Sequence, residues 1–151
     1  MDLSQGYPRS GREQIAGLMM IGRTLDKARA SLAGTLGEYI YDCGMDRSVF
    51  DFLGTNAEEF SAAVQRAASD DDVAAFVRAK LAVKTEGAIE AWNNAFMAIE
   101  PDLSRSAYAD AVAAVKRRAP QRTDITHWVD LIDVEEERPI PPPRTSAAAA
   151  G

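Results

Sequence analysis

Between Leu18 and Leu32 the apolar residues Leu18, Ile21, Leu25, Ala28 and Leu32 recur at alternating spacings of three and four, and the run stops at Gly34. That period lines one face of an α-helix, so it predicts a helix buried along this stripe against other helices. Ahead of it, Ser10-Gly11-Arg12-Glu13 has the form of a capping box, in which a hydroxyl and a carboxylate satisfy free amides reciprocally. The helix is therefore expected from about Ser10 to Ala33, with Gly34 as a left-handed stop. Beside the first stripe runs a second, Ile15, Met19, Gly22, Asp26 and Arg29. It puts two charges next to a buried face.

The segment Gly34-Thr-Leu-Gly-Glu-Tyr-Ile-Tyr-Asp-Cys-Gly44 has no helical period, and its glycines and polar–apolar alternation predict a loop with a short extended piece. Beyond it the helical pattern resumes. Asp46 can cap a short helix through Leu53, and Thr55-Asn56-Ala57-Glu58 reads as a capping box for the next. Ser69 precedes three aspartates at the positive end of another helix. Further helices are expected from Thr85 to before Pro101, from about Ser104 to Arg118, and from about Asp124 to Asp133. The reading is all-α: a bundle of about six helices with a Gly- and Tyr-rich loop after the first. Residues 1–9 form an irregular arm, 10–137 a single helical domain, and 138–151 a flexible tail rich in Pro and Ala.

A length of 151 residues suits one core, and 46% hydrophobic against 26% charged residues is ordinary for a globular chain. The net charge of −6 disfavours phosphate backbones and anionic membranes as partners. Cys43 is the one cysteine, so no disulfide can form within the chain, and no apolar leader or span is evident. Both features point to a reducing cytoplasm. One histidine and one cysteine cannot build a zinc site from several His and Cys, so neither metal nor cofactor is expected.

Chemistry, if present, belongs near the loop. Arg23, Asp26, Lys27 and Arg29 form one charged cluster, in which Asp26 is spaced to pair with Arg23 and Arg29. Arg29 borders the apolar stripe and is suited to anchoring a loop or gripping a carboxylate or phosphate. Glu38, Tyr41, Asp42 and Cys43 are the candidates for acid–base or nucleophilic work, and Arg23, Asp26, Arg29, Tyr39 and Tyr41 for ligand binding. Each also has a simpler structural role: surface pairing, plugging the bundle, or capping. His127 beside Trp128 is more readily a packing or capping residue. In Trp92-Asn93-Asn94 the indole belongs to the core, and both amides are expected to face solvent.

Taken together, Gly22-Arg-Thr-Leu-Asp-Lys-Ala-Arg-Ala-Ser-Leu-Ala-Gly34, Gly37-Glu-Tyr-Ile-Tyr-Asp-Cys43, Asp46 and Phe50-Asp-Phe-Leu-Gly54 resemble a bacterial family, domain of unknown function family 5069. The resemblance extends over most of the chain, to near Arg138, and implies no particular activity. The expected function is a module that binds a small ligand or a partner near Gly34–Gly54. The alternatives are a small-molecule enzyme using carboxylate and Tyr acid–base chemistry with an Arg anchoring an anionic substrate, and a homo-oligomeric scaffold.

Overall fold

Residues 10–20 make turns, not helix. The computed structural model describes residues 1–144, and in it the first helix, α1, spans Ile21–Ala33. Before it, Ala16, Gly17 and Met20 all have positive φ, and Ile15 and Leu18 exchange backbone hydrogen bonds of 3.1 Å across a tight turn. The Ser10–Glu13 pattern therefore closes a turn, with the Arg12 amide donating to Ser10 Oγ, and caps no helix. The cause is tertiary. Asn93, buried at 8% exposure, donates to the Gly17 carbonyl (2.9 Å) and accepts from the Met19 amide (3.0 Å), pinning the turn. Only Asn94 keeps the solvent-facing position expected of both amides.

Among the described residues there are seven α-helices and no strand, in keeping with the expected bundle of about six. After α1 come α2 (Gly44–Leu53), α3 (Ala57–Arg66), α4 (Asp70–Leu81), α5 (Glu86–Met97), α6 (Ala109–Arg118) and α7 (Trp128–Glu135). Gly34 ends α1 in the left-handed region, as expected. The loop after it consists of turns, so the extended piece is absent. Asn56 is the N-cap of α3, its side chain accepting from the Glu59 amide at 2.8 Å, and Thr55 Oγ1 donates to the Glu59 carboxylate. A 3-10 turn at Ser106–Tyr108 precedes α6, and α7 starts at Trp128, later than Asp124.

The chain divides into two compact units, Met1–Asn94 and Ala95–Gly151. In the first, Leu18, Ile21, Leu25 and Ala28 are fully buried with Val49, Phe50, Phe60, Val73 and Val77. Phe60 packs against both Phe50 (ring centroids 5.3 Å) and Phe76 (6.1 Å). Leu32 leaves the stripe at 47% exposure, because α1 emerges from the core in its last turn.

In the second unit α6 packs on α7, around Ala111, Ala114, Val115, Ile125, Leu131 and Val134. Arg118 Nη1 donates to the carbonyls of Val134 (2.7 Å) and Arg138 (3.0 Å), so a cation satisfies the C-terminal end of α7. Arg122 reaches the Pro141 carbonyl (2.9 Å) and Arg144 reaches Asp130 (3.1 Å). These bonds fasten the first half of the proline-rich tail. The remainder of the tail lies outside the described residues.

Candidate functional site

From Ile21 to Ala30 every residue of α1 except Arg29 is buried. A helix enclosed on all sides is ordinarily apolar. This one encloses Arg23 (5% exposed), Thr24 (0%), Asp26 (1%) and Lys27 (3%). Buried polar groups persist only with partners, and here the partners come from the two irregular segments that flank the helix and from the first turn of α2.

Asp26 holds the N-terminal arm. Its carboxylate accepts from the Arg9 amide (2.8 Å), Nε (3.1 Å) and Nη2 (2.9 Å), and Arg9 Nη1 continues to Asp70 (2.8 Å). The Arg9 guanidinium lies across Gly22, where a Cβ would come within 3.3 Å of Nε. Arg29 Nη1 meets Asp70 at 2.7 Å. Burial opposes ionisation of Asp70, but hydrogen bonds from Arg29 and Arg9 outweigh it and hold that carboxyl below its ordinary value. Asp26 is thus engaged by Arg9 and Arg29 by Asp70. The sequence spacing that suggested an Asp26–Arg29 pair did not anticipate either partner, since Arg9 lies 17 residues from Asp26.

Lys27 holds the loop. Its Nζ lies 2.7 Å from Asp46 Oδ2, 3.1 Å from the Ile40 carbonyl and 3.3 Å from Cys43 Sγ. Asp46, fully buried, also accepts from Thr24 Oγ1 (2.8 Å) and from the Cys43 amide (3.2 Å). Cys43 is the N-cap of α2 and Asp46 its N3 residue, so the carboxylate reaches back in a capping box while it neutralises the lysine. Asp46 therefore sits one turn inside the helix it was expected to open. Lys27, Thr24 and Asp46 form the buried centre that the sequence reading missed. The one available signal was the Cys43-x-x-Asp46 spacing, because Lys27 looks like any other charge in its cluster.

The remaining candidates disperse. Arg23 Nη1 donates to the Arg9 carbonyl (3.3 Å), and its guanidinium stacks 5.6 Å from the Tyr39 ring. Tyr41 packs edge-on against Phe50 and donates its hydroxyl to the Ala57 carbonyl at 2.8 Å. Burial pushes the Tyr41 phenol up to about 12, and the carboxylates of Asp46 and Asp42 act in the same direction against a hydrogen bond from Ser61. A phenol so placed is a poor proton shuttle near neutrality. Asp42, at a φ of 65°, faces outward to Arg47 Nε at 3.3 Å. Glu38 and Ile40 are exposed, Ile40 at 68%. Arg29, Glu38 and Tyr41 thus do not share partners. His127 is the N-cap of α7, with Nε2 3.2 Å from Glu100 and Nδ1 buried without a hydrogen bond. Among the described residues no three His, Cys, Asp or Glu side chains are grouped to hold a metal ion, and no helix is long and apolar enough to cross a membrane.

Fold and site together define a mainly helical protein in which one buried helix grips its own flanking segments through charged side chains. The chain belongs to the family described as Domain of unknown function (DUF5069), which it matches over residues 5–138. No curated protein matches it.

Proposed function

We propose that this chain is a non-catalytic binding module that recognises its ligand or partner through the Gly34–Gly44 loop. The observation that carries the reading is the contrast between the two sides of that loop. Its inner side is fixed by Lys27 on the Ile40 carbonyl and Cys43, and by Tyr41 on the Ala57 carbonyl. Its outer side presents the Glu38 carboxylate and the Ile40 side chain to solvent. A loop ordered before binding loses little entropy on binding, so an exposed apolar residue on it is an effective contact. The ligand best suited offers apolar surface to Ile40 and a cation or hydrogen-bond donor to Glu38. Acid–base catalysis is less well supported, because the Tyr41 hydroxyl and Arg29 both serve partners within the fold.

A thermal-shift screen of metabolites and short peptides, followed by hydrogen exchange of each hit, tests the reading. Hits should slow exchange of the amides from 35 to 43, and Ile40→Asp should abolish the shift without lowering the stability of the free protein. Protection confined to other segments, or equal binding by Ile40→Asp, would refute it.

A further inference from the structure

The loop and α1 meet at two side chains able to bond covalently to each other. Lys27 Nζ rests 3.3 Å from Cys43 Sγ, held there by the Ile40 carbonyl and by Asp46. The lysine is 3% exposed, whereas Cys43 is half-buried. The chain has no second cysteine. A sulfenic acid formed at Cys43 therefore has no thiol of its own chain to condense with, and the nucleophile already in contact is the Lys27 amine.

We infer that oxidation of Cys43 by a hydroperoxide joins it to Lys27 through a sulfenamide, a direct S–N bond that ties the loop to α1. In the first step the sulfur attacks one oxygen of hydrogen peroxide. The S–O bond forms, the O–O bond breaks, and the second oxygen leaves as water with the thiol proton. Sulfur is oxidised by two electrons and the peroxide is reduced by two. In the second step the Lys27 ammonium passes one proton to Asp46 Oδ2, and its freed lone pair attacks the sulfur. The S–N bond forms, the S–O bond breaks, and the departing hydroxyl leaves as water with a second proton from Nζ. One peroxide is consumed, two waters are released, and Asp46 keeps one proton. The geometry supplies each part: an amine on the sulfur and a proton acceptor 2.7 Å from that amine. The condensation also converts a buried ammonium and carboxylate into two neutral groups, removing the cost of keeping an ion pair out of water.

The test is hydrogen peroxide treatment of the purified full chain, read by intact mass and by tryptic mapping without reductant. The expected product is two hydrogens lighter than the starting chain, resists trypsin after Lys27, yields the Lys27 peptide joined to the Cys43 peptide, and reverts with dithiothreitol. Cys43→Ser should abolish it. Lys27→Arg, which keeps a cation beside Asp46, should let dimedone trap several-fold more sulfenic acid than the parent chain. The mapping is done on the parent chain, so it stands even if Lys27→Arg does not fold. Oxygen addition at Cys43 without cross-linking, linkage to a different lysine, or a Cys43 thiol that survives peroxide sufficient to oxidise a free cysteine peptide would each overturn the inference.

Discussion

Asp46 shows how much one side chain can hold when it is buried with its partners. Its two oxygens receive Lys27 Nζ, Thr24 Oγ1 and the Cys43 amide, and no solvent reaches it. Removing one member of a buried ion pair leaves the other charged in a poor solvent, which costs more than the pair contributes. Asp46→Asn is therefore expected to destabilise the protein by about 3–5 kcal/mol, read from the shift of the denaturant midpoint. Thr24→Val removes one hydrogen bond from the same carboxylate and should cost only about 1–2 kcal/mol. A result in which the two variants lose equal stability would mean that the charge of Lys27 is not confined as described. In sequence it is Arg29, two positions on, that borders the buried stripe, and nothing marks Lys27 as the buried cation. What separates them is that the loop closes over Lys27, while Arg29 stays part-exposed and pairs with Asp70 of α4.

At the scale of elements, the arm and the loop pack against each other with little tolerance. The Leu3 amide donates to the Thr35 carbonyl (2.8 Å) and Thr35 Oγ1 to the Met1 carbonyl (2.6 Å). Gly37, at a φ of 60°, faces the arm so closely that a Cβ would fall 2.9 Å from the Leu3 carbonyl oxygen. Gly37→Ala meets both backbone strain and a clash with main chain, and should cost about 1–3 kcal/mol; proteolysis of the arm should accelerate before global unfolding does. Arg9→Met removes the cation from buried Asp26 and the bridge it makes from Asp26 to Asp70, leaving Asp70 on Arg29. Because Arg9 is partly exposed, the expected loss in chemical denaturation is about 2–4 kcal/mol, at or below the range for a fully buried pair. The helix starts were legible to within a residue where a cap acts locally, as at α3, where Asn56 caps one position after the expected Thr55, and illegible where a distant residue intervened. Asn93 overrode the helical pattern of residues 10–20 from α5, 76 positions along the chain from Gly17.

For the whole molecule, two groups with displaced pKa values bound a plateau of stability. Burial lowers the His127 pKa from 6.5, Arg144 adds to the effect, and Glu100 partly opposes it. The unfolded chain then takes up this proton first, so stability is full above about 6.5 and falls as the medium becomes more acid. Tyr41 is displaced the other way, from 10.0 to about 12. Its contribution is present below pH 10 and is lost as pH rises toward 12. Denaturation followed across pH should show a decline on both sides, with His127→Gln flattening the acid limb and Tyr41→Phe the alkaline one. An alkaline limb unchanged in Tyr41→Phe would assign that loss to the lysines instead.

The sequence by itself determined that this chain is helical, that its first helix ends at Gly34, that the loop after it is the irregular part, and which family it belongs to. These follow from periodicity, from capping chemistry within a few residues, and from a long shared motif, all of which are local properties. Only the tertiary structure decided which charges are buried. Arg9, Lys27, Asp26 and Asp46 find their partners 17 or 19 positions away. An ion pair at that separation leaves no periodic trace, because its energy depends on removal from water and not on spacing along the chain.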